Sequence, residues 1–171
     1  IDMAILELQH VSFSYSDILV VSDLDLAIEA GGIVSIMGPS GCGKSTVLRL
    51  LSGLEKPSSG RSLFEGKQLD QPSPKLRYSF QDFDAFPWRT VRQNLLLGGA
   101  SVEGGGDRIS VGGMAEKVGL SGHENKYPAE LSSGMRKRLA LGRCLAGRPE
   151  VILMDEPFSS LDEQNREFLQ E

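Results

Sequence analysis

Two short, mostly apolar runs stand out against segments that alternate. Gly32-Ile33-Val34-Ser35-Ile36-Met37 is rich in β-branched residues and has glycine at both ends, which predicts a buried strand. Val151-Ile152-Leu153-Met154 is wholly apolar and predicts a second strand, suited to the middle of a parallel sheet. Ile5-Leu6-Glu7-Leu8 and Leu24-Asp25-Leu26-Ala27-Ile28 alternate apolar and polar positions and predict half-exposed strands. Helical spacing appears over residues 46–51, stopping near Gly53, and over 91–97, 114–118 and 163–169. The strongest helix runs from Gly134 to Leu145, with Leu139, Ala140, Leu141, Cys144 and Leu145 as its apolar face. Residues 55–66 read as a loop with a short strand near Leu63. Residues 98–113 hold seven of the 20 glycines and predict a flexible loop.

Between the first apolar strand and the first helix lies Gly38-Pro39-Ser40-Gly41-Cys42-Gly43-Lys44-Ser45-Thr46. Its form is G-x-x-x-x-G-K-[ST], a loop that cradles the phosphates of a nucleoside triphosphate. Gly38, Gly41 and Gly43 let the backbone curl so that its N–H groups face phosphate oxygens. Lys44 supplies a charge for the β- and γ-phosphates, and the Ser45 hydroxyl suits Mg²⁺. Strand, glycine loop and helix occur in the order this chemistry requires, with the positive end of the helix turned to the phosphates.

The second apolar strand ends in Asp155-Glu156-Pro157. Carboxylates at the tip of a core strand stand where open α/β sheets bind ligands. Asp155 is placed to hold Mg²⁺ and Glu156 to orient or deprotonate an attacking water.

Charge and cysteine content narrow the partners. The net charge of −5 argues against nucleic acid, and Arg136-Lys137-Arg138 reads as the solvated face of a helix. No apolar run approaches the ~20 residues that span a bilayer, and the N-terminus does not look like a signal peptide. The two cysteines fit a reducing cytosol. Cys42, inside the loop, reads either as a thiol whose modification blocks nucleotide or as a buried, inert residue.

These motifs resemble those of the ATP-binding subunit of an ATP-binding-cassette (ABC) transporter, and further ones extend the likeness over nearly the whole chain. Leu131-Ser132-Ser133-Gly134-Met135 sits where the family carries its signature, L-S-G-G-Q. Ser159-Ser160-Leu161-Asp162 resembles the D-loop, Phe80-Gln81 the Q-loop, and Tyr15 the aromatic that stacks on adenine. The resemblance implies ATP and Mg²⁺ as cofactors, with Ser45, Gln81 and Asp155 at the metal and Glu156, Lys44 and Gln81 in catalysis. It implies a head-to-tail homodimer in which Ser132, Ser133, Gly134 and Met135 face the partner's ATP, with Ser160, Leu161 and Asp162 between the subunits. Residue by residue, plainer roles also fit: Tyr15 as a strand aromatic, Gln81 as a surface polar residue, and Ser132 and Asp162 as helix N-caps.

The implied fold is a three-layer α/β phosphate-loop core, residues 1–81 and 136–171, with an antiparallel β subdomain and a helical subdomain over 82–135. Phe86-Pro87-Trp88-Arg89-Thr90-Val91, with Met135 in the signature, is similar to importers of nitrate, sulfonate and taurine. The expected partners are a membrane permease and, indirectly, a solute-binding protein, on the cytoplasmic face of the membrane. The alternatives are a non-transport ABC ATPase and a nucleotide-binding fragment without turnover. Two departures stand out. Ser133 replaces a glycine, costing on the order of 1 kcal/mol if that position needs a positive φ. The family's last core strand and switch histidine do not follow the D-loop, and His10 and His123 read as surface residues, so an incomplete domain that binds ATP better than it hydrolyses it is expected.

Overall fold

The computed structural model describes residues 4–80, 85–99 and 110–156. It divides into two units, Ile1–Ser73 and Pro74–Glu171.

In the first unit, β1 (Ala4–Tyr15) and β2 (Ile18–Glu29) form a long antiparallel hairpin, extended by β3 (Ser59–Phe64) and β4 (Lys67–Gln68) in the order β2-β1-β3-β4. The alternation seen in the sequence changes phase along β1. Leu6 and Leu8 are buried, and then so are Val11 and Phe13. The switch falls at His10, a bulge with φ 48° where the register shifts against both neighbouring strands. The Asp25 carboxylate accepts from the His10 N–H at 2.9 Å, and Asp23 lies 3.1 Å from His10 Nδ1. One extra residue thus turns Val11 and Phe13 inward. Helix α1 (Lys44–Ser52) buries Leu50 and Leu51 and ends at Gly53, which has a left-handed backbone.

The run expected to be a buried strand does not behave as one. Residues 32–39 belong to no ladder among the described residues, Ile33 is fully exposed and Met37 is 86% exposed. A strand gains its hydrogen bonds from neighbours, and the sheet of this unit is completed by local hairpins without it.

The second unit pairs β5 (Leu76–Ser79) in parallel with β6 (Val151–Met154). The sequence reading missed β5, although Leu76, Tyr78 and Phe80 alternate with Arg77 and Ser79. In β6 only Leu153 is buried and Met154 is 40% exposed, so the strand is less enclosed than its composition predicts. Helices α2 (Val91–Gly99), α3 (Val111–Lys117) and α4 (Ser133–Ala146) surround a core of Val91, Leu95, Met114, Val118, Leu120 and Leu139. The predicted loop over 98–113 is partly helical: Gly98 and Gly99 close α2, and Gly112 and Gly113 lie in α3. Gly98 is needed for packing, because a Cβ there would run into the Arg143 carbonyl on α4.

Helix α4 differs from its prediction in detail. Its buried face is Leu139, Gly142, Cys144 and Ala146, and Leu141 is turned outward. The basic cluster is tied down rather than simply solvated. Arg136 donates to the Leu131 carbonyl at 2.6 Å and Arg138 to that of Gly119 at 3.0 Å. His10 is exposed, as expected, whereas His123 is half-buried with its Nδ1 enclosed.

Candidate functional site

The phosphate loop joins the strand-like run to α1 through two left-handed glycines, Gly41 (φ 80°) and Gly43 (φ 98°). A side chain at Gly43 would be strained at that φ, and its Cβ would press on Val20 Cγ1 at 3.2 Å and the Val20 carbonyl at 3.3 Å. The loop therefore lies directly against β2. Gly43 is the N-cap of α1 without a side-chain cap, and the first turn carries no acidic residue. The free N–H groups and the positive end of the dipole are left for an anion. Lys44 Nζ donates to the carbonyls of Gly38 at 3.0 Å and Pro39 at 2.8 Å, which holds the ammonium across the loop. Cys42 is exposed, 4.0 Å from Lys44 Nζ, so the buried alternative does not hold. Ser40 is exposed, Ser45 half-buried and Thr46 buried.

Tyr15 ends β1 in the same unit and is 39% exposed. Phe13 meets its ring edge-on at 4.8 Å, and Arg49 Nη1 on α1 donates to its hydroxyl at 3.3 Å.

In the second unit, Asp155 and Glu156 follow β6. Asp155 is 8% exposed; its carboxylate accepts from the Tyr78 hydroxyl at 3.0 Å, and its backbone N–H donates to the Ser79 carbonyl at 3.0 Å. Tyr78, which the sequence reading did not single out, thus fixes one carboxylate oxygen. Glu156 is exposed with φ 48°, a left-handed backbone uncommon for glutamate at a place where strain often marks function. Ser132 caps α4, accepting from the Met135 N–H at 3.2 Å. Ser133 is the first residue of α4 with ordinary helical backbone, so its Cβ carries no positive-φ penalty. A Cβ at Gly134 would meet open space. Gln81, Ser160, Leu161, Asp162 and the helix expected over 163–169 lie outside the described residues.

Taken separately, the Ser45 hydroxyl in the first unit and the Asp155 carboxylate in the second each carry the oxygen donor that Mg²⁺ prefers. No helix among the described residues is long and apolar enough to cross a membrane.

A nucleotide-binding loop on an α/β scaffold, with an acidic strand tip and a serine-capped signature helix, defines an ATP-binding cassette. The family model for the ABC transporter matches residues 21–159, and the chain belongs to that family. Among its relatives, the nitrate import ATP-binding protein NrtC of Synechococcus elongatus is 44% identical over 157 residues, covering 90% of this chain and 24% of the relative. The aliphatic sulfonates import ATP-binding protein SsuB of Zymomonas mobilis is 40% identical over 161 residues, covering 94% of this chain and 65% of the relative. The chain thus spans less than two thirds of the length of either. In the solved dimer of the ATP-binding cassette MJ0796 bound to ADP and Pi, the similarity is 28% identity at a TM-score of 0.80, over 95% of this chain and 78% of that one. For cbiO1 from Clostridium perfringens, part of the ABC transporter complex cbiONQ, identity is 28% and the TM-score 0.84, over 98% of this chain and 71% of that one.

Proposed function

We propose that this chain is the ATP-binding part of an importer ATPase, which binds and hydrolyses MgATP to drive a membrane permease. The observation that carries this reading is the phosphate loop, whose left-handed Gly41 and Gly43 deliver an uncapped helix N-terminus beside Lys44. Relatives named as nitrate and sulfonate import proteins support the importer class. The solute is chosen by the permease and a solute-binding protein.

Each residue then has a task. The loop N–H groups and Lys44 hold the phosphates and stabilise charge developing on the γ-phosphoryl group. Lys44 exchanges its bonds to Gly38 and Pro39 for phosphate oxygens. Tyr15 stacks on adenine. Ser45, Gln81 and Asp155, the last steadied by Tyr78, would be the residues that hold Mg²⁺, and the ion would supply neutralisation of phosphate charge. Glu156 accepts the proton of the water that attacks phosphorus as the β–γ bridge breaks. Two chains pair head to tail, and Ser132 with the N–H of Gly134 completes the partner's site. Trp88, 70% exposed, lies on the surface that docks the permease at the cytoplasmic face of the membrane.

The test is calorimetric titration with MgATP. Lys44→Ala abolishes binding if the loop is the site; retained wild-type affinity would refute it. In the complete protein, Glu156→Gln keeps binding and stops turnover. Continued wild-type hydrolysis would remove Glu156 from the mechanism.

A further inference from the structure

We infer that Arg49 is a positioning residue that sets the plane of Tyr15 for the nucleotide base, linking the adenine face to the same helix that carries the phosphate loop. The inference rests on the proposed adenine role of Tyr15. Everything it uses lies within the first unit. Tyr15 is the last residue of β1, and Ser16 after it has φ 50°. A strand-end tyrosine of 39% exposure has few neighbours to choose its rotamer. Two contacts remove that freedom. Phe13 abuts the ring edge-on at an interplanar angle of 87°, and Arg49 donates to the hydroxyl at 3.3 Å.

The anchor is itself rigid. The Arg49 carbonyl accepts from Ser52 Oγ at 2.8 Å and from the N–H groups of Leu54 at 3.1 Å and Glu55 at 3.3 Å, so its backbone is locked into the closing turn of α1. The other end of α1 begins at Lys44, and Gly43 lies against Val20 on the second strand of Tyr15's own hairpin. One nine-residue helix therefore touches the hairpin near both ends. Phosphate loop and aromatic ring are held at one spacing before any ligand arrives. A face that is already ordered loses less entropy on binding than one that must be frozen.

Kd for MgATP and for Mg-tripolyphosphate, which has the phosphates without the base, separates the possibilities. Arg49→Met and Tyr15→Phe each remove the hydrogen bond and spare the ring. Each is expected to raise Kd for ATP about three- to ten-fold, the range one hydrogen bond supplies, and to leave tripolyphosphate within about two-fold. The double variant should lose no more than either single one, and Arg49→Lys should recover part of the loss. Unchanged tripolyphosphate affinity also reports an intact loop. If Arg49→Met weakens both ligands equally, Arg49 serves the loop or the fold and the inference falls. If Tyr15→Ala weakens ATP selectively but Arg49→Met and Tyr15→Phe do not, Tyr15 contacts adenine without help from Arg49, and again the inference falls. If Tyr15→Ala spares ATP, the adenine reading itself fails and this inference with it.

Discussion

Asn94 offers the sharpest test of how the second unit is held together. It lies on α2, is fully buried, and joins the 86–90 loop to the helix with four side-chain hydrogen bonds. Its Oδ1 accepts from the Phe86 N–H at 2.8 Å, and its Nδ2 donates to the carbonyls of Phe86 at 3.2 Å, Arg89 at 2.9 Å and Thr90 at 3.0 Å. In Asn94→Ala not all of these partners are orphaned. The Phe86 carbonyl keeps the Arg89 N–H, and the Thr90 carbonyl keeps the backbone N–H of residue 94. The Phe86 N–H and the Arg89 carbonyl have no other hydrogen bond among the described residues. Two unsatisfied backbone groups at about 1–3 kcal/mol each predict a loss of about 2–6 kcal/mol, a large part of the ~5–15 kcal/mol typical of a domain. With a urea slope of about 2 kcal/mol/M, the midpoint falls by about 1–3 M. Trp88, the single tryptophan, sits in this loop against Phe86 at 5.4 Å, so its fluorescence reports the segment, with far-ultraviolet circular dichroism as the global probe. Asn94→Leu is the control, because it refills the volume but leaves both groups orphaned. If Asn94→Leu matches the wild type, cavity filling rather than hydrogen bonding supports this loop, and the reasoning is wrong.

Two other outcomes follow from single features. Gly98→Ala pushes a Cβ onto the Arg143 carbonyl and separates α2 from α4, at a cost of about 1–3 kcal/mol; an unshifted melting temperature would show that the helices re-seat freely. The Glu124 carboxyl is held below the usual glutamate range, first by its own backbone N–H and then by that of Gly122. A depressed folded value means that its stabilisation is complete above the unfolded value of about 4.3 and fades as pH falls through the folded one. Glu124→Gln should therefore lower the melting temperature at neutral pH, by a small amount because the group is exposed, and converge with the wild type as pH falls, which flattens the acid limb; identical curves across the whole range would remove the carboxyl from the account.

The local features of the candidate site were legible because they are consecutive in the chain. A phosphate loop is a consecutive run whose glycines dictate their own backbone, and Ser132 caps the helix that begins at the next residue. Asp155 could be named from the apolar strand before it. Less could be read where a residue's role depends on what lies opposite. Arg49 is an ordinary helix residue until a strand end thirty-four positions earlier brings a hydroxyl to it. Tyr78 gains meaning only when β5 pairs with β6 and its hydroxyl reaches Asp155. Asn94 follows Arg92 and Gln93 in α2, so nothing in the sequence set it apart as the buried member, and its partners were not readable.

The sequence by itself determined the phosphate-loop backbone, the approximate positions of the helices and the acidic strand tip, since each depends on residue type and short-range spacing. The tertiary structure alone decided the phase of β1. Alternation has period two, so the extra residue at His10 sends Val11 and Phe13, and with them the neighbour of Tyr15, to a face that simple alternation would have left outside. It also decided that residues 32–39 stay outside the first unit's sheet although they are apolar. Composition favours a strand, but pairing needs another backbone alongside it.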